Sequence, residues 1–179
     1  MNLDAPSDVI AHTPRLILRR LCASDAARIQ PLADDWEVAK QTANLPFPYG
    51  DAEARHFVEQ ALCAAGAGKE FVFAIIRRND ATLIGLIGLV ADVAPMETGY
   101  WIGRDFWGRG YASEALAAML DYSRNILCAR RLDAVVFDDN AASIRVLIKC
   151  GFLYQESFAE DVPHRGGMRT IQRYQWLAA

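Results

Sequence analysis

The segment from Glu97 to Leu127 constrains this chain most, because it predicts a strand, a glycine turn and a helix in direct succession. Alternating side chains before Gly103 indicate the strand, and Gly108 and Gly110 permit positive φ or close approach to a ligand. The apolar residues that follow recur at helical spacing: Ala115, Leu116, Met119, Leu120, Ile126 and Leu127. A helix N-terminus presents free N–H groups and a positive dipole end, so this junction predicts a phosphate or pyrophosphate site.

The composition indicates one ordinary globular domain. The chain has 179 residues, 53% of them hydrophobic and 23% charged, which suffices for a substantial core. We expect a loose leader over residues 1–12 and a single domain over 13–179. The net charge of −3 gives no basic field for nucleic acid, and no apolar run is long enough to cross a bilayer. No secretory signal is recognisable, which favours a cytoplasmic protein.

The cysteines and histidines do not predict a metal site. Neither residue type forms a cluster with metal-ligand spacing, and the three histidines are expected on the surface. The four cysteines lack CxxC pairing and have largely apolar flanks, so we expect reduced, half-buried thiols: Cys22, Cys63, Cys128 and Cys150.

The order of elements predicts a mixed α/β fold with three layers. Seven strands are expected over 13–21, 70–78, 82–90, from 96 to the glycine turn, and over 131–137, 152–158 and 168–177. Four helices are expected over 24–34, 51–65, from the glycine turn to 127, and over 141–150, with a loop over 36–50. The strands 70–78 and 82–90 are almost continuously apolar and should form a central hairpin covered on both faces. A mostly antiparallel mixed sheet, with helices on both faces and a crossover after the glycine turn, accommodates this order.

Three motifs together resemble the GNAT (Gcn5-related) N-acetyltransferase superfamily. They are Gly-Tyr-Trp-Ile-Gly at 99–103, Trp-Gly-Arg-Gly-Tyr-Ala-Ser-Glu-Ala at 107–115, and Asn-Ala-Ala-Ser at 140–143 followed by Lys-Cys-Gly-Phe. The chain looks most similar to the Rim-type ribosomal-protein N-terminal acetyltransferases. The resemblance implies an acyltransferase with the GNAT fold that uses acetyl-CoA as co-substrate and needs no metal.

The resemblance also implies the residues that bind acetyl-CoA. Backbone groups of Trp101, Ile102 and Gly103 would follow the pantetheine arm. The pyrophosphate would lie against Trp107, Gly108, Arg109, Gly110, Tyr111, Ala112 and Ser113, with the Arg109 side chain as an ion-pair partner or a solvated loop charge. The chain departs from the family at Trp107, where a Gln or Arg is usual, and at Thr170, where the Rim-type branch often has an aspartate.

Candidate catalytic residues follow from what acetyl transfer requires. The amine must lose a proton and the departing thiolate must gain one. By resemblance, Glu97 is the candidate base, alternatively a solvated residue at the start of its strand. Asn140 would contact the pantetheine arm, cap a helix, or do both. Ser143 would protonate the thiolate unless it is simply a first-turn serine, and Tyr154 is the second candidate acid.

The acceptor is the least determined partner. Trp36, Phe47 and Tyr49 lie in the segment that forms one wall of the substrate cleft in this family, although they could instead only pack the helices on the sheet. The segment from His164 to Gly167 could form the opposite lip. The acceptor would be a protein N-terminus or a small-molecule amine such as an antibiotic, polyamine or amino acid. A non-catalytic acyl-CoA-binding module is the alternative from another class, and the chain could be a monomer or a homodimer.

Overall fold

A computed structural model describes residues 9–178 and shows one eight-stranded mixed sheet in the order β1-β2-β3-β4-β5-β6-β8-β7. The strands are β1 Val9–His12, β2 Leu16–Arg20, β3 Glu70–Arg77, β4 Thr82–Val90, β5 Met96–Ile102, β6 Arg131–Phe137, β7 Leu153–Val162 and β8 Gly167–Leu177. Five helices accompany them: α1 Ala26–Ala33, α2 Trp36–Ala39, α3 Asp51–Gly66, α4 Tyr111–Asn125 and α5 Ala141–Lys149. All neighbouring strands are antiparallel except β5 and β6.

The N-terminal leader and the strand count differ from the sequence-based expectation. Residues 9–12, assigned to the leader, form β1 and pair with β2, so the sheet has eight strands and not seven. Four residues carry too little periodicity to predict a strand, and pairing with β2 defines this one. The predicted leader over residues 1–8 lies outside the described residues. The predicted loop 36–50 contains the one-turn helix α2, whose first N–H groups Asp35 caps.

Two hydrophobic clusters cover opposite faces of the sheet. The first packs β2–β6 and β8 against α4 and α5 and includes Leu116, Met119 and Leu147. The second packs β2–β4 against α1 and α3 and includes Ile29 and Val58. Because β3 and β4 contribute to both clusters, their continuous apolar runs are explained and their predicted central position is confirmed.

The end of α5 shows how the sequence directs the chain from helix to strand. Gly151 has φ +86°, which suits the residue after a helix, and the Phe152 N–H donates to the Leu147 carbonyl at 3.0 Å. Phe152 is buried in the same cluster as Leu147. The Lys-Cys-Gly-Phe segment therefore ends α5 and anchors the start of β7 in the core.

The cysteines are free thiols, but their predicted burial is wrong for three of them. Cys22, Cys63 and Cys128 are exposed, and Cys150 is intermediate. Apolar sequence neighbours did not imply burial. In α3, for example, successive side chains point about 100° apart, so the buried Ala61 leaves Cys63 on the solvent side.

Strands β5 and β6 diverge, and this divergence positions the site. The two strands pair only at Met96–Leu132 and Glu97–Asp133, while β5 remains paired with β4 up to Ile102 and β6 with β8 up to Phe137. Beyond Glu97 the β5 edge therefore has no strand partner on its β6 side. The resulting gap leads from one face of the sheet to the other.

Candidate active site

A cavity of about 890 Å³ occupies the gap between β5 and β6 and is lined by residues from both faces of the sheet. This volume is typical of a ligand-binding cleft. Most of the residues singled out from the sequence line it: Tyr49, Glu97, Trp101, Ile102, Trp107, Gly108, Gly110, Tyr111, Ala112, Ser113, Asn140 and Ser143. Gly103, Arg109, Trp36 and Phe47 are not among the lining residues.

The glycine turn presents the N-terminus of α4 to this cavity. Gly108 and Gly110 have φ +71° and +77°, and a side chain at Gly108 would meet no other atom within 4 Å. Both glycines are therefore required by the left-handed backbone and not by crowding. Within the described residues, the N–H groups of Tyr111, Ala112 and Ser113 have no protein acceptor. The open donors and the helix dipole together suit an anionic group.

Arg15 and Glu114 fix the glycine turn in place. The Arg15 Nε–H donates to Glu114 Oε2 at 2.6 Å, and its Nη1–H donates to the Arg109 carbonyl at 2.9 Å. The Thr13 hydroxyl donates to Glu114 Oε1 at 2.6 Å, and the guanidinium lies 4.8 Å from the centre of the Tyr111 ring. We call these groups, Thr13, Arg15 and Glu114, the loop clamp. In the sequence, residues 13–15 indicated only the start of a strand, so the loop clamp was not predicted.

Trp107, the departure from the family motif, has a visible structural role. Its indole Nε1–H donates to the Ile102 carbonyl at 2.6 Å. The side chain thus ties the glycine turn back to the end of β5. The same bond engages a carbonyl that the resemblance assigns to the pantetheine arm, while the N–H groups at the start of α4 stay free.

Gly103 and Arg109, both expected to bind the cofactor, do not line the cavity. A side chain at Gly103 would lie 2.7 Å from Leu32 Cδ2, so this glycine permits α1 to pack closely on the end of β5. The Arg109 side chain is exposed, and its carbonyl accepts the bond from Arg15. Sequence analysis did not single out Arg145 and Lys149 on α5, but both line the cavity on the face where α4 begins.

Ser143 lies in the first turn of α5 with its hydroxyl held by Tyr100. The two hydroxyl oxygens are 2.9 Å apart, and Asn140 Oδ1 accepts from the Ser143 N–H at 3.0 Å. Asn140 is therefore the N-cap of α5, and its amide NH₂ has no protein partner within the described residues. Burial raises the pKa of Tyr100 above its usual value, so its hydroxyl stays protonated. Sequence analysis treated Tyr100 only as a strand residue and did not single it out.

Glu97 lies on the other face of the sheet, at the last position where β5 and β6 pair. It is half-buried. Burial raises the pKa of its carboxyl, and Asp133 and Glu160 raise it further, while Arg173 opposes them. Asp133 is the β6 residue that pairs with Glu97, and paired strands are about 4.8 Å apart. These surroundings make Glu97 a stronger base than an ordinary glutamate.

Tyr154, the second candidate acid, is located away from the cavity. It lies on the edge strand β7, is 52% exposed, and its ring packs edge-on against Tyr174. Its hydroxyl is 2.9 Å from the Ser157 hydroxyl. Two strands, β8 and β6, separate β7 from the gap, so Tyr154 is not placed to protonate a thiolate there.

The three expected acceptor residues have different environments. Tyr49 is 2% exposed, and burial, together with the Glu53 charge, raises its pKa to about 12. Trp36 and Phe47 form an exposed ring pair with centroids 5.4 Å apart. Arg165 packs behind this pair, 5.9 Å from the Trp36 ring.

The segment from His164 to Gly167, expected to form the opposite lip of the cleft, supports the same wall as Trp36 and Phe47. The buried Arg165 donates from Nε to the Thr42 carbonyl at 2.8 Å and from Nη2 to the Leu45 carbonyl. Thr42 and Leu45 both line the cavity. The turn between β7 and β8 therefore holds the loop between α2 and α3 against the cleft.

Within residues 9–178 there is no group of three or more His, Cys, Asp or Glu side chains that could hold a metal ion. None of the described helices combines the length and the apolar character that a membrane span needs.

The sheet splits between two parallel strands, and a glycine turn and a helix N-terminus lie at the split, which is the arrangement expected above for an acyltransferase. The protein-family model of the acetyltransferase (GNAT) domain matches residues 15–153 of this sequence. The chain is 35% identical over 177 residues to an uncharacterised N-acetyltransferase, YoaA of Bacillus subtilis, with 90% of this chain and 96% of the relative covered. The chain therefore belongs to the GNAT family of N-acetyltransferases.

Two solved structures share the fold at lower identity. RimL, described as a ribosomal L7/L12 alpha-N-protein acetyltransferase in complex with coenzyme A, matches with a TM-score of 0.85 at 20% identity, covering 95% of this chain and 98% of RimL. MccE, described as a Microcin C7 self immunity acetyltransferase in complex with acetyl-CoA and AMP, matches with a TM-score of 0.83 at 19% identity, covering 93% and 94%. The expected GNAT fold is confirmed, and a Rim-type enzyme is among the solved structures that share it.

Proposed function

We propose that this enzyme transfers the acetyl group of acetyl-CoA to a primary amine by direct attack within a ternary complex. The observation that carries the proposal is the gap between β5 and β6, which joins Ser143 on the α4/α5 face to Glu97 on the α1/α3 face. Donor and acceptor can therefore approach from opposite faces and meet between the strands. Holding two reactants in this way removes much of the entropic barrier of a bimolecular reaction.

The donor half of the site is the α4/α5 face. The open N–H groups at the start of α4 bind the pyrophosphate, and Arg145 and Lys149 add positive charge on this side. The unpaired edge of β5 beyond Glu97 offers backbone groups to the pantetheine amides. The Asn140 NH₂ group is free to donate to the same arm, because its Oδ1 already caps α5.

Proton transfer is assigned to Glu97 and Ser143. Glu97 removes a proton from the acceptor ammonium, directly or through water, before the nitrogen attacks the acetyl carbon, and the nitrogen loses a second proton to solvent as the amide forms. When the C–S bond breaks, the Ser143 hydroxyl donates a hydrogen bond or a proton to the departing thiolate. Tyr100, which keeps its own proton, orients Ser143 for this step.

The acceptor is proposed to be a protein N-terminus, with a small-molecule amine as the second candidate. RimL supports the first class, since its description names alpha-N-protein acetylation, and MccE supports the second. The enzyme would act in the cytoplasm as a monomer or homodimer.

The test begins with a thermal-shift measurement of coenzyme A binding. Transfer is then followed as free thiol release from acetyl-CoA, with peptides beginning with Ala or Ser, polyamines and amino acids as acceptors. We expect a coenzyme A-dependent rise in melting temperature and thiol release with at least one amine class. Binding without transfer to any amine would select the non-catalytic acyl-CoA-binding module, and no binding by folded protein would refute the proposal.

A further inference from the structure

The α1/α3 face of the gap contains a floor without side chains. Gly88 on β4 pairs directly with Gly99 on β5, and both glycines line the cavity. Residues opposite each other in a sheet share a face, and the neighbours on this face along β5 are Glu97 and Trp101. The glycine pair therefore lies in the acceptor half of the site. Gly99 is two residues after the proposed base Glu97 and is its next neighbour on the same face of β5.

Packing does not require Gly99 to be a glycine. Its φ is not in the left-handed region, it is exposed, and a Cβ placed on it would meet no atom within 4 Å. By contrast, Gly103 and Gly85 would each place a Cβ closer than 3.0 Å to a neighbouring atom. The empty volume above Gly99 is thus available to a ligand, and a side chain introduced there would enter the cavity without displacing the protein.

The surroundings of this floor define the chemistry of what it accepts. Four apolar or aromatic side chains of the α1/α3 cluster line the cavity with the two glycines: Phe57, Val72, Leu86 and Trp101. Glu53 and Glu70 also line the cavity. Glu70 on β3 pairs with Val90 on β4, and Val90 pairs with Glu97 on β5, so Glu70 and Glu97 lie on the same face of the sheet. Apolar walls favour an apolar group, while carboxylates disfavour another carboxylate.

We propose that Gly99 is a specificity-determining residue, and that the pocket above the Gly88–Gly99 pair binds the apolar or aromatic group next to the reacting amine of an acceptor without a carboxylate. This inference rests on the proposed acetyl transfer and names its substrate class. An N-terminal residue with an apolar side chain has this chemistry, as does an arylalkyl amine. A free amino acid does not.

The first experiment measures kcat/KM for four amino-acid amides, glycinamide, alaninamide, leucinamide and phenylalaninamide, and for free phenylalanine, at saturating acetyl-CoA. The wild-type enzyme should prefer phenylalaninamide to glycinamide by at least about tenfold, and phenylalaninamide to phenylalanine by a similar factor, as several buried methylenes and one repelled charge imply. A preference for glycinamide, or no transfer to any amide by protein that binds coenzyme A and acetylates another amine, would overturn the acceptor class.

The second experiment compares Gly99→Ala and Gly99→Val with Gly66→Val. Gly66 is exposed at the end of α3, away from the cavity, and a Cβ there also has open space. The ratio of phenylalaninamide to glycinamide kcat/KM should fall progressively, by at least about tenfold for Gly99→Val, and stay unchanged in Gly66→Val. A retained coenzyme A thermal shift verifies folding and donor binding. An unchanged ratio in both Gly99 variants would overturn the role of Gly99, whereas loss of coenzyme A binding by the wild-type protein would refute the proposed function itself.

Discussion

Glu97 and Ser143 lie on opposite faces of one sheet. Neighbours that are distant in sequence change the pKa of Glu97 and hold the hydroxyl of Ser143. Asp133 and Glu160 act on Glu97, and Tyr100 acts on Ser143. At the scale of single residues, the proposed chemistry therefore depends on a few long-range pairs.

Replacing Glu97 by Gln should lower kcat by about 10²-fold or more, because the proposed base is lost. In the wild-type enzyme the raised pKa means that Glu97 becomes protonated, and kcat/KM falls, at a higher pH than for an ordinary glutamate. Measured pH–rate profiles should show this acid limb in the wild-type enzyme and not in Glu97→Gln. The exposed Glu59→Gln on α3 is the control. A variant with the wild-type rate and profile would rule out Glu97 as the base.

Glu97→Gln should lower activity, but it should not lower the stability of the folded protein. A carboxyl whose pKa is raised by folding is more costly to ionise in the folded state, so it reduces stability as the pH rises through its folded pKa. Glu97→Gln should therefore have a melting temperature at pH 7 equal to or above that of the wild-type protein, as calorimetry can determine. A clear decrease would show that Glu97 has a structural role.

Ser143→Ala should lower kcat about tenfold or more with little change in acetyl-CoA affinity, since the Asn140 cap on the Ser143 N–H remains. Tyr100→Phe removes the hydroxyl that orients Ser143 and should lower kcat by a smaller factor. Single-turnover kinetics with acceptors of different pKa can separate the acid step. Equal losses in Tyr154→Phe, which is far from the gap, would contradict the assignment of Ser143.

At the scale of elements, the loop clamp joins the start of β2 to the glycine turn and α4. Its three side chains come from segments about 100 residues apart in the sequence. The turn supplies the open N–H groups, and the clamp and Trp107 determine where they point.

Arg15→Ala should raise the KM for acetyl-CoA by about tenfold, because the guanidinium that joins the Arg109 carbonyl to the Glu114 carboxylate is lost and the turn becomes less ordered. The pKa of Glu114, which burial raises but its bonds to Thr13 and Arg15 lower on balance, should increase in the variant. Arg124→Ala, at the exposed far end of α4, is the matched control. Isothermal titration with coenzyme A provides the measurement, and equal affinities in the two variants would refute the role of the clamp.

At the scale of the whole molecule, a buried ion pair connects the helical layer to the sheet. Arg19 on β2 and Asp25 before α1 form two hydrogen bonds of 2.7 Å, and Asp25 is 1% exposed. Burial alone would raise the pKa of Asp25, but its bonds to Arg19 and Cys22 lower it on balance. This pair helps to orient α1 over the second hydrophobic cluster, some of whose residues line the proposed acceptor half of the cavity.

Asp25→Asn should reduce the free energy of unfolding by about 3–5 kcal/mol at pH 7, because Arg19 loses the charge of its partner in a buried position. Since folding lowers the pKa of Asp25, its contribution is present above the unfolded-state value near 3.8 and is lost as the pH falls below it. Urea unfolding from pH 7 to pH 3 should show the difference between the two proteins shrinking. The exposed Asp121→Asn should unfold like the wild-type protein at every pH, and the proposal fails if Asp25→Asn does so too.

Local sequence determined most of the elements and the chemistry of the glycine turn, because periodicity, capping residues and left-handed glycines act within a few positions. The apolar runs of β3 and β4, the turn at Gly151 and the helix after Gly110 were all predictable for this reason. The family motifs also predicted acetyl-CoA as the donor.

The tertiary structure decided where the strands separate and which residues meet there. Pairing of β5 with β6 stops after Glu97, while β5 stays paired with β4 up to Ile102 and β6 with β8 up to Phe137, and no local pattern encodes where the strands separate. Tyr100 beside Ser143 and Arg15 beside the glycine turn are likewise contacts between residues far apart in the sequence. The strand, glycine turn and helix therefore specify an anion site by themselves, whereas a site that can bring an amine to a thioester exists only where the sheet opens.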